Sequence, residues 1–163
     1  RIGVCNVTVS QQQQFSQVAS CDAIQCPLNL IQRDSLSDLI PQCAASQCEV
    51  YVFWTLMKGL LAGRIARDHR FSDGDVRPSY EIFQGEARRR THDVLDAMQS
   101  IACSSGMSIA QLSIGWALSQ TGVTAALVGA RRAEQVREIA KAKPLQAEIL
   151  SDLDEIVAKH VAT

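Results

Sequence analysis

The sequence predicts an α/β fold built on a parallel β-sheet. Short strand-like apolar runs alternate with longer amphipathic stretches along the whole chain of 163 residues, a length sufficient for one buried core. The run at residues 50–55 is β-branched and aromatic and is apolar on both faces, which is typical of a parallel strand covered on both sides. Repeated strand–helix units imply right-handed crossovers. Four such units can be half of an eight-stranded (βα)8 barrel or a small open sheet, and we expect residues 1–163 to form a single domain.

Local signals mark where the elements begin and end. Pro27 suits a strand end, where no ladder donor is needed, and Ser37 is the expected cap of the next helix. Pro41 would then lie in the first turn of that helix, where proline costs little. Ser108 and Gln111 predict a capping box. The predicted strands span residues 2–5, 23–28, 50–55 and 124–128, and the other predicted helices span residues 10–20, 86–104, 109 onward, 133–142 and 149–159.

One long polar loop and two glycines stand out in the second half of the chain. Residues 67–85 are polar and contain glycine and proline, and a connection of this length is often functional. Gly106 fits a helix C-terminus. Gly115 lies inside the next predicted helix and is expected to weaken it by about 1 kcal/mol relative to alanine.

Composition argues against several functional classes. The formal net charge is −1 with no basic cluster, so a nucleic-acid partner is not expected. No apolar run approaches the roughly 20 residues that span a bilayer, so no membrane association is expected. We expect His92 and His160 at the surface, and no metal site. The polar loop containing His69 has no recognisable ligand spacing.

The cysteines predict reduced thiols in a cytoplasmic protein. Their spacing differs from the usual zinc motif, no histidine lies near them, and most have apolar neighbours. Free thiols are the norm in the cytosol. The six cysteines are Cys5, Cys21, Cys26, Cys43, Cys48 and Cys103.

Five short stretches decide between the two architectures. Their order and spacing resemble the C-terminal half of aldo-keto reductases, from the fifth barrel strand to the C-terminal helix. The resemblance covers essentially the whole chain and implies half of a (βα)8 barrel, with four parallel strands and surrounding helices. It also implies an NADP-dependent oxidoreductase that reduces carbonyls by hydride transfer. The stretches are GVCN at 3–6, QCPLN at 25–29, GLLAG at 59–63, FSDGDVR at 71–77 with GE at 85–86, and GARRAEQ at 129–135.

The resemblance assigns cofactor contacts to particular positions. Amide side chains suit the nicotinamide carboxamide because each offers a donor and an acceptor, and an aromatic face suits the nicotinamide ring. Arginines at a helix start suit a 2′-phosphate. These positions are Asn6 and Gln25 for the carboxamide, Phe53 for the ring, and Arg131, Arg132 and Gln135 for the adenosine phosphate. From the residues alone, the amides could instead satisfy loop backbone, and Phe53 could belong to the core.

The chain also departs from the family pattern within this site. Cys5 stands where serine is usual, and Phe53 stands where tyrosine is usual. Trp54 and Thr55 replace a Ser-Pro pair, and Ile139 replaces an asparagine that often contacts adenine. Several lost contacts predict weakened cofactor affinity. A further departure is Gln47, in place of a helix-ending glycine.

The family's catalytic Asp, Tyr, Lys and His lie on the first four strand–helix units, and no residue here matches their context. We therefore assign no catalytic residue and expect the isolated chain to be inactive. Two hypotheses remain for the function. The chain is part of an NADP-linked carbonyl reductase, or it is a stand-alone half-barrel that binds nucleotides or forms oligomeric assemblies. A half-barrel exposes two sheet edges and an apolar face, so we expect association with itself or with an N-terminal half-barrel.

Overall fold

The computed structural model describes residues 1–161, so Ala162 and Thr163, which fall in the predicted single domain, lie outside the described residues. Four strands form one parallel sheet in the order β1-β2-β3-β4, as the alternating pattern predicted. The strands are β1 Gly3–Cys5, β2 Ala23–Pro27, β3 Glu49–Phe53 and β4 Ala125–Ala126. The last strand is shorter than predicted, although backbone hydrogen bonds from Thr124 to Val50 and from Leu127 to Val52 extend its contact with β3.

Within residues 1–161, six α-helices connect and follow the strands. Short 3₁₀ turns lie between them at Asp34–Leu36, Met57–Ala62, Arg77–Ser79 and Glu81–Phe83, so the long polar loop is not structureless. The helices are α1 Val9–Ser16, α2 Leu39–Ala45, α3 Gly85–Ser105, α4 Ile109–Leu118, α5 Ala133–Ile139 and α6 Ala147–Val161.

The starts of α1 and α2 differ from the prediction for local reasons. Thr8 forms a capping box with Gln11, so α1 begins one residue earlier than expected, and it also ends earlier, at Ser16. The predicted Ser37 cap is wrong. The 3₁₀ turn occupies the preceding residues, and the carboxylate of Asp38 accepts the Leu39 N–H instead.

The sheet packs one face against the helices. Ile24 and Cys26 of β2 and Val50 and Val52 of β3 alternate toward this side and are almost completely buried. Met98 of α3 lies in the same hydrophobic core, which extends to α4 and α6. The covered face therefore carries the main core of the molecule.

Gly115 has a packing role that its sequence context did not reveal. A Cβ at this position of α4 would lie 2.7 Å from the Lys143 carbonyl oxygen and 2.7 Å from a Leu145 methyl group. The adjacent Trp116 is buried and donates its indole N–H to Asp154 at 2.9 Å, and the Arg33 guanidinium lies over its ring. Glycine thus permits a close approach of the segment before α6 to α4.

His92 is buried, so the prediction that it lies at the surface is wrong. Only 4% of its surface is exposed, because it lies on the inner side of α3. Its Nε2 atom has no hydrogen-bond partner within residues 1–161. Burial lowers the pKa of His92, and the guanidinium groups of Arg67 and Arg88 lower it further.

No helix covers the opposite face of the sheet within residues 1–161, and we call this side the open face. Gln25 is exposed there, and Tyr51 and Phe53 are only half-buried. Near the start of β3, Glu49 pairs with Arg1 at 2.8 Å and accepts a hydrogen bond from Tyr51 at 2.5 Å. The outer edges of β1 and β4 pair with no other strand of the described chain.

Across residues 1–161, no single helix has the length and apolar character needed to cross a membrane. The helices α3 and α4 meet those criteria only as a pair, with a bend of 91° between them.

Candidate functional site

Two of the predicted residues, Gln25 and Phe53, lie on the open face toward the carboxyl ends of their strands. Cys5, Gln25 and Tyr51 are aligned neighbours on β1, β2 and β3. Phe53 ends β3 on the same side as Tyr51, since side chains two residues apart share a face. Asn6 directly follows β1. An exposed amide on β2, an amide beside it and an aromatic ring one strand away therefore lie along one edge.

Asn6 has a backbone role as well. Its φ of 55° lies in the left-handed region, and its N–H donates to the Gln25 carbonyl at 3.1 Å. Asparagine adopts this conformation more readily than most residues. The exposed Asn6 side chain makes no hydrogen bond within residues 1–161, so it remains available to a ligand.

The segment after β3 holds a cluster of unusual backbone conformations. Trp54, Met57 and Lys58 have φ values of 62°, 44° and 51°, and Gly59 follows at 95°. Left-handed conformations at non-glycine residues are costly, and they concentrate at ligand-binding segments. The buried Thr55 hydroxyl has no hydrogen-bond partner within residues 1–161. This turn shapes the wall of the cavity described next.

A cavity of about 620 Å³ opens beyond the ends of β3 and β4. Three of the residues predicted to bind the adenosine phosphate, Arg131, Arg132 and Gln135, line it together with Ile139. Of the residues that the structure describes, five cationic side chains and two acidic ones line the cavity. The cations are Lys58, Arg64, Arg77, Arg131 and Arg132, and the acids are Asp75 and Glu138.

Both acidic groups of this cavity are already paired. Arg64 contacts Glu138 at 2.5 Å, and the Arg77 guanidinium binds both oxygens of Asp75. Hydrogen bonds from the Arg77 side chain and backbone lower the pKa of Asp75 to about 2. Arg131 and Arg132 form no ion pair within residues 1–161, so the cavity presents unneutralised positive charge. Such an arrangement suits a phosphate-bearing ligand.

Gln135 also serves the local fold. Its side-chain oxygen accepts the backbone N–H groups of Arg131 at 2.8 Å and Arg132 at 3.2 Å. This contact fixes the turn that carries both arginines. Only the amide nitrogen of Gln135 remains to donate to a ligand, so Gln135 acts mainly by positioning its neighbours.

An aromatic pair borders the cavity on the side of the polar loop. The rings of Trp54 and Tyr80 meet edge to face with centroids 5.1 Å apart. The Lys58 ammonium lies 4.8 Å from the Tyr80 centroid and 5.5 Å from that of Trp54. Trp54 itself lines the cavity.

The structure places the six predicted residues in two groups. Gln25 and Phe53 lie at the open face and the exposed Asn6 directly follows β1, whereas Arg131, Arg132 and Gln135 line the cavity. Sequence reasoning missed Lys58, Arg64 and Arg77, which adjoin or lie within the family-like stretches. Within residues 1–161, no group of three histidine, cysteine, aspartate or glutamate side chains could hold a metal ion.

Comparison with known proteins agrees with this geometry. The model of the aldo/keto reductase family matches residues 1–158. The chain is 30% identical over 161 residues to the NADH-specific methylglyoxal reductase of Escherichia coli (strain K12), covering 99% of this chain and 48% of that protein. It is 26% identical to the aldo-keto reductase YhdN of Bacillus subtilis (strain 168), covering 99% of this chain and 50% of that protein.

The structure agrees as well. It matches the glycerol dehydrogenase AKR11B4 of Gluconobacter oxydans with a TM-score of 0.89 and 31% identity, covering 99% of this chain and 50% of the other. The chain spans about half the length of the relatives it matches. Its sheet therefore corresponds to half of a (βα)8 barrel, as the resemblance implied, and the chain belongs to the aldo/keto reductase family.

Proposed function

We propose that this chain provides the NADP-binding half of an oxidoreductase that interconverts carbonyls and alcohols. The observation that supports the proposal is the cationic cavity beside the strand ends. Trp54, which lines this cavity, directly follows Phe53 at the end of β3. NADP carries its negative charge on the central pyrophosphate and the adenosine 2′-phosphate, away from the planar nicotinamide, and the two groups of residues differ in the same way. One group is neutral and planar, and the other is cationic.

The residues fit the two ends of such a cofactor by their chemistry. Gln25 and Asn6 would hold the carboxamide, and Phe53 would lie against the nicotinamide ring. Arg131 and Arg132 would bind the adenosine phosphate, and Lys58 adds charge to the same wall. The bound cofactor would supply the hydride, and the residues of this chain would hold and orient it.

Within residues 1–161, neither tyrosine is placed to protonate a carbonyl oxygen beside Gln25. Tyr51 is aligned with Gln25 on the neighbouring strand, but its phenol donates to Glu49, and that hydrogen bond raises the pKa of Tyr51. Tyr80 packs against Trp54 at the cavity border. We infer that the isolated chain binds the cofactor without reducing a carbonyl.

Cofactor binding is tested by titrating the chain with NADPH and following tryptophan fluorescence, since Trp54 lines the cavity. Replacing Arg131 or Arg132 by alanine should weaken NADPH binding about tenfold, because a charged hydrogen bond is worth about 1.5–3 kcal/mol. The same substitutions should lower the affinity for NADH, which lacks the 2′-phosphate, by less than about threefold.

The control is Arg137→Ala. Arg137 is exposed on α5, the helix that follows both arginines; within residues 1–161 it pairs only with Glu134, and it does not line the cavity. An equal loss with Arg137→Ala, or an equal loss for NADH and NADPH, would contradict the assigned phosphate site.

Inactivity is tested separately by following NADPH absorbance with a panel of aldehydes. We expect no oxidation above background for the isolated chain. A turnover that persists after repurification and disappears in Gln25→Ala would show that the chain contains its own proton donor.

The second candidate is an assembly module, and the open face of the sheet favours it. Exposed parallel edges at β1 and β4 and uncovered side chains between them present a surface for association. We propose that this face binds a further half-barrel, either a second copy or an N-terminal half, in the cytoplasm. Light scattering across a concentration series should show association, and a compact monomer at all concentrations would exclude self-assembly.

A further inference from the structure

We propose that Cys21 and Cys48 form a modification site, in which a peroxide converts the two thiols to a reversible disulfide. The sulfur atoms lie 3.8 Å apart, although the residues are 27 positions apart in the sequence. The proposal does not depend on cofactor binding, because these thiols lie at the amino ends of β2 and β3, opposite the strand ends that carry the candidate site.

The backbone around both thiols is fixed. Ala23 and Glu49 are aligned partners on β2 and β3, and the Glu49 N–H donates to the Asp22 carbonyl at 3.0 Å. Cys21 and Cys48 immediately flank this contact. Neighbouring strands lie about 4.8 Å apart, which falls within the range of Cα separations that disulfides span.

The turn before β3 aims Cys48 toward this contact. Gln47 adopts a left-handed conformation with a φ of 58°, at the position where the family pattern has glycine. The Cys48 N–H then donates to the Cys43 carbonyl at 2.9 Å, which closes the C-terminus of α2. Cys48 is held in a single backbone arrangement without being part of a helix.

The remaining thiols are less suitable for pairing. Cys26 and Cys43 are buried to 1% and 0% exposure, so an oxidant in solution does not reach them. Cys5 and Cys103 are exposed, and neither has a thiol contact within residues 1–161. Cys21 combines partial exposure with a thiol neighbour.

The order of steps follows from the two environments. Burial and then the contacts with Cys21 and Cys43 raise the pKa of Cys48 to about 12, so its thiolate is scarce. The half-buried Cys21 reacts first with the peroxide, forming a sulfenic acid and releasing one water. The Cys48 sulfur then attacks this sulfenic sulfur, forming the S–S bond and releasing a second water. Two thiols lose two electrons and two protons, and one peroxide is reduced to two waters.

The disulfide would join the loop before β2 to the loop before β3. A cross-link between distant positions stabilises a fold chiefly by restricting the unfolded chain. We expect oxidation to raise the thermal midpoint by about 5 °C or more, and a thiol reductant to reverse the rise. NADPH affinity should change less than twofold, since the cavity lies at the other end of the strands.

The test uses the full chain with Cys5→Ser and Cys103→Ser, which removes the exposed thiols that could link separate chains. Hydrogen peroxide is added in stoichiometric steps, and tandem mass spectrometry of the unreduced digest locates the bond. The expected result is one cross-link between Cys21 and Cys48, with two fewer titratable thiols per chain.

Cys21→Ser, Cys21→Ala and Cys48→Ser should each abolish the cross-link and the rise in midpoint, whereas Cys26→Ser should retain both. A bond between Cys43 and Cys48, over-oxidation of Cys21 without a bond, or a cross-link that survives Cys21→Ser would overturn the proposal. Locating the bond by mass spectrometry in the chain with Cys5→Ser and Cys103→Ser tests the proposal even if one of the further variants folds poorly.

Discussion

The two faces of the sheet differ in what their residues do. On the covered face, Ile24 and Val50 are fully buried against helices and carry no polar atom in the side chain. On the open face, Gln25 and Tyr51 occupy the very next positions, and both bear hydrogen-bonding groups. Each of these strands thus alternates buried apolar side chains with accessible polar ones, and the proposed cofactor contacts lie on the second set.

This difference predicts which substitutions affect folding stability and which do not. Removing buried methylene groups destabilises a fold through lost transfer energy and an unfilled cavity, whereas exposed polar side chains contribute little to folding. Substitutions at adjacent positions of β2 or β3 should therefore separate stability from cofactor binding.

The largest expected effect is Ile24→Ala, on the covered face of β2. Because Ile24 is fully buried, we expect a loss of about 3 kcal/mol in the free energy of unfolding, measured by urea denaturation. Its neighbour Gln25→Ala is the matched control and should stay within about 0.5 kcal/mol of the parent. Comparable losses at both positions would show that the open face is buried in solution.

Gly115→Ala tests the covered side at α4. It should lower the free energy of unfolding by about 2 kcal/mol in urea denaturation, despite the higher helix propensity of alanine. The new methyl group would meet the Lys143 carbonyl and Leu145, each at 2.7 Å. Gly129→Ala is the control, because nothing lies within 4 Å of a Cβ there. A stabilised Gly115→Ala protein would mean that the segment before α6 moves away without cost.

The sequence predicted the covered side well and the site less completely. Alternating apolar runs fixed four parallel units, and the capping box at Ser108 and Gln111 is present as predicted. The role of Gly115 could not be predicted, because it depends on a segment about 30 positions away that reaches α4 only through the tertiary fold. Periodicity placed the strands, but it carries no information on such contacts.

Two side chains illustrate the same limit at polar positions. His92 lies on α3 among charged residues, and the sequence alone did not reveal its burial. Lys58 lies in a turn with left-handed backbone, which non-glycine residues rarely adopt and which no local pattern announced. The clustering of five cationic side chains in one cavity depends on the tertiary fold, which brings together the segments after β3 and β4 and the polar loop.

His92 gives a pH-dependent prediction of intermediate size. Its folded-state pKa is lowered, so in acid the unfolded chain takes up a proton before the folded chain does. The stability that depends on neutral His92 should therefore be fully present above about pH 6.5, and it should be lost as the pH falls toward the folded-state pKa of His92. The charged groups around it are Arg67, Arg88, Asp93 and Asp96.

The measurement is the difference in thermal midpoint between pH 7.5 and pH 5.5. His92→Gln should reduce this difference by several degrees, whereas His160→Gln, near the end of α6, should leave it unchanged. If the difference persists in His92→Gln, the acid sensitivity arises elsewhere.

The smallest expected effect is Tyr51→Phe on the open face. The substitution removes the hydroxyl that donates to Glu49 at 2.5 Å, while the Arg1 contact of Glu49 remains. Because this cluster borders solvent, the midpoint of a dilute sample should change by less than about 1 °C. If a second half-barrel covers the face, the same hydrogen bond becomes buried and its loss leaves a carboxylate short of a donor. The effect of Tyr51→Phe should then grow with protein concentration, and a large effect at the lowest concentration would mean that the face is already covered.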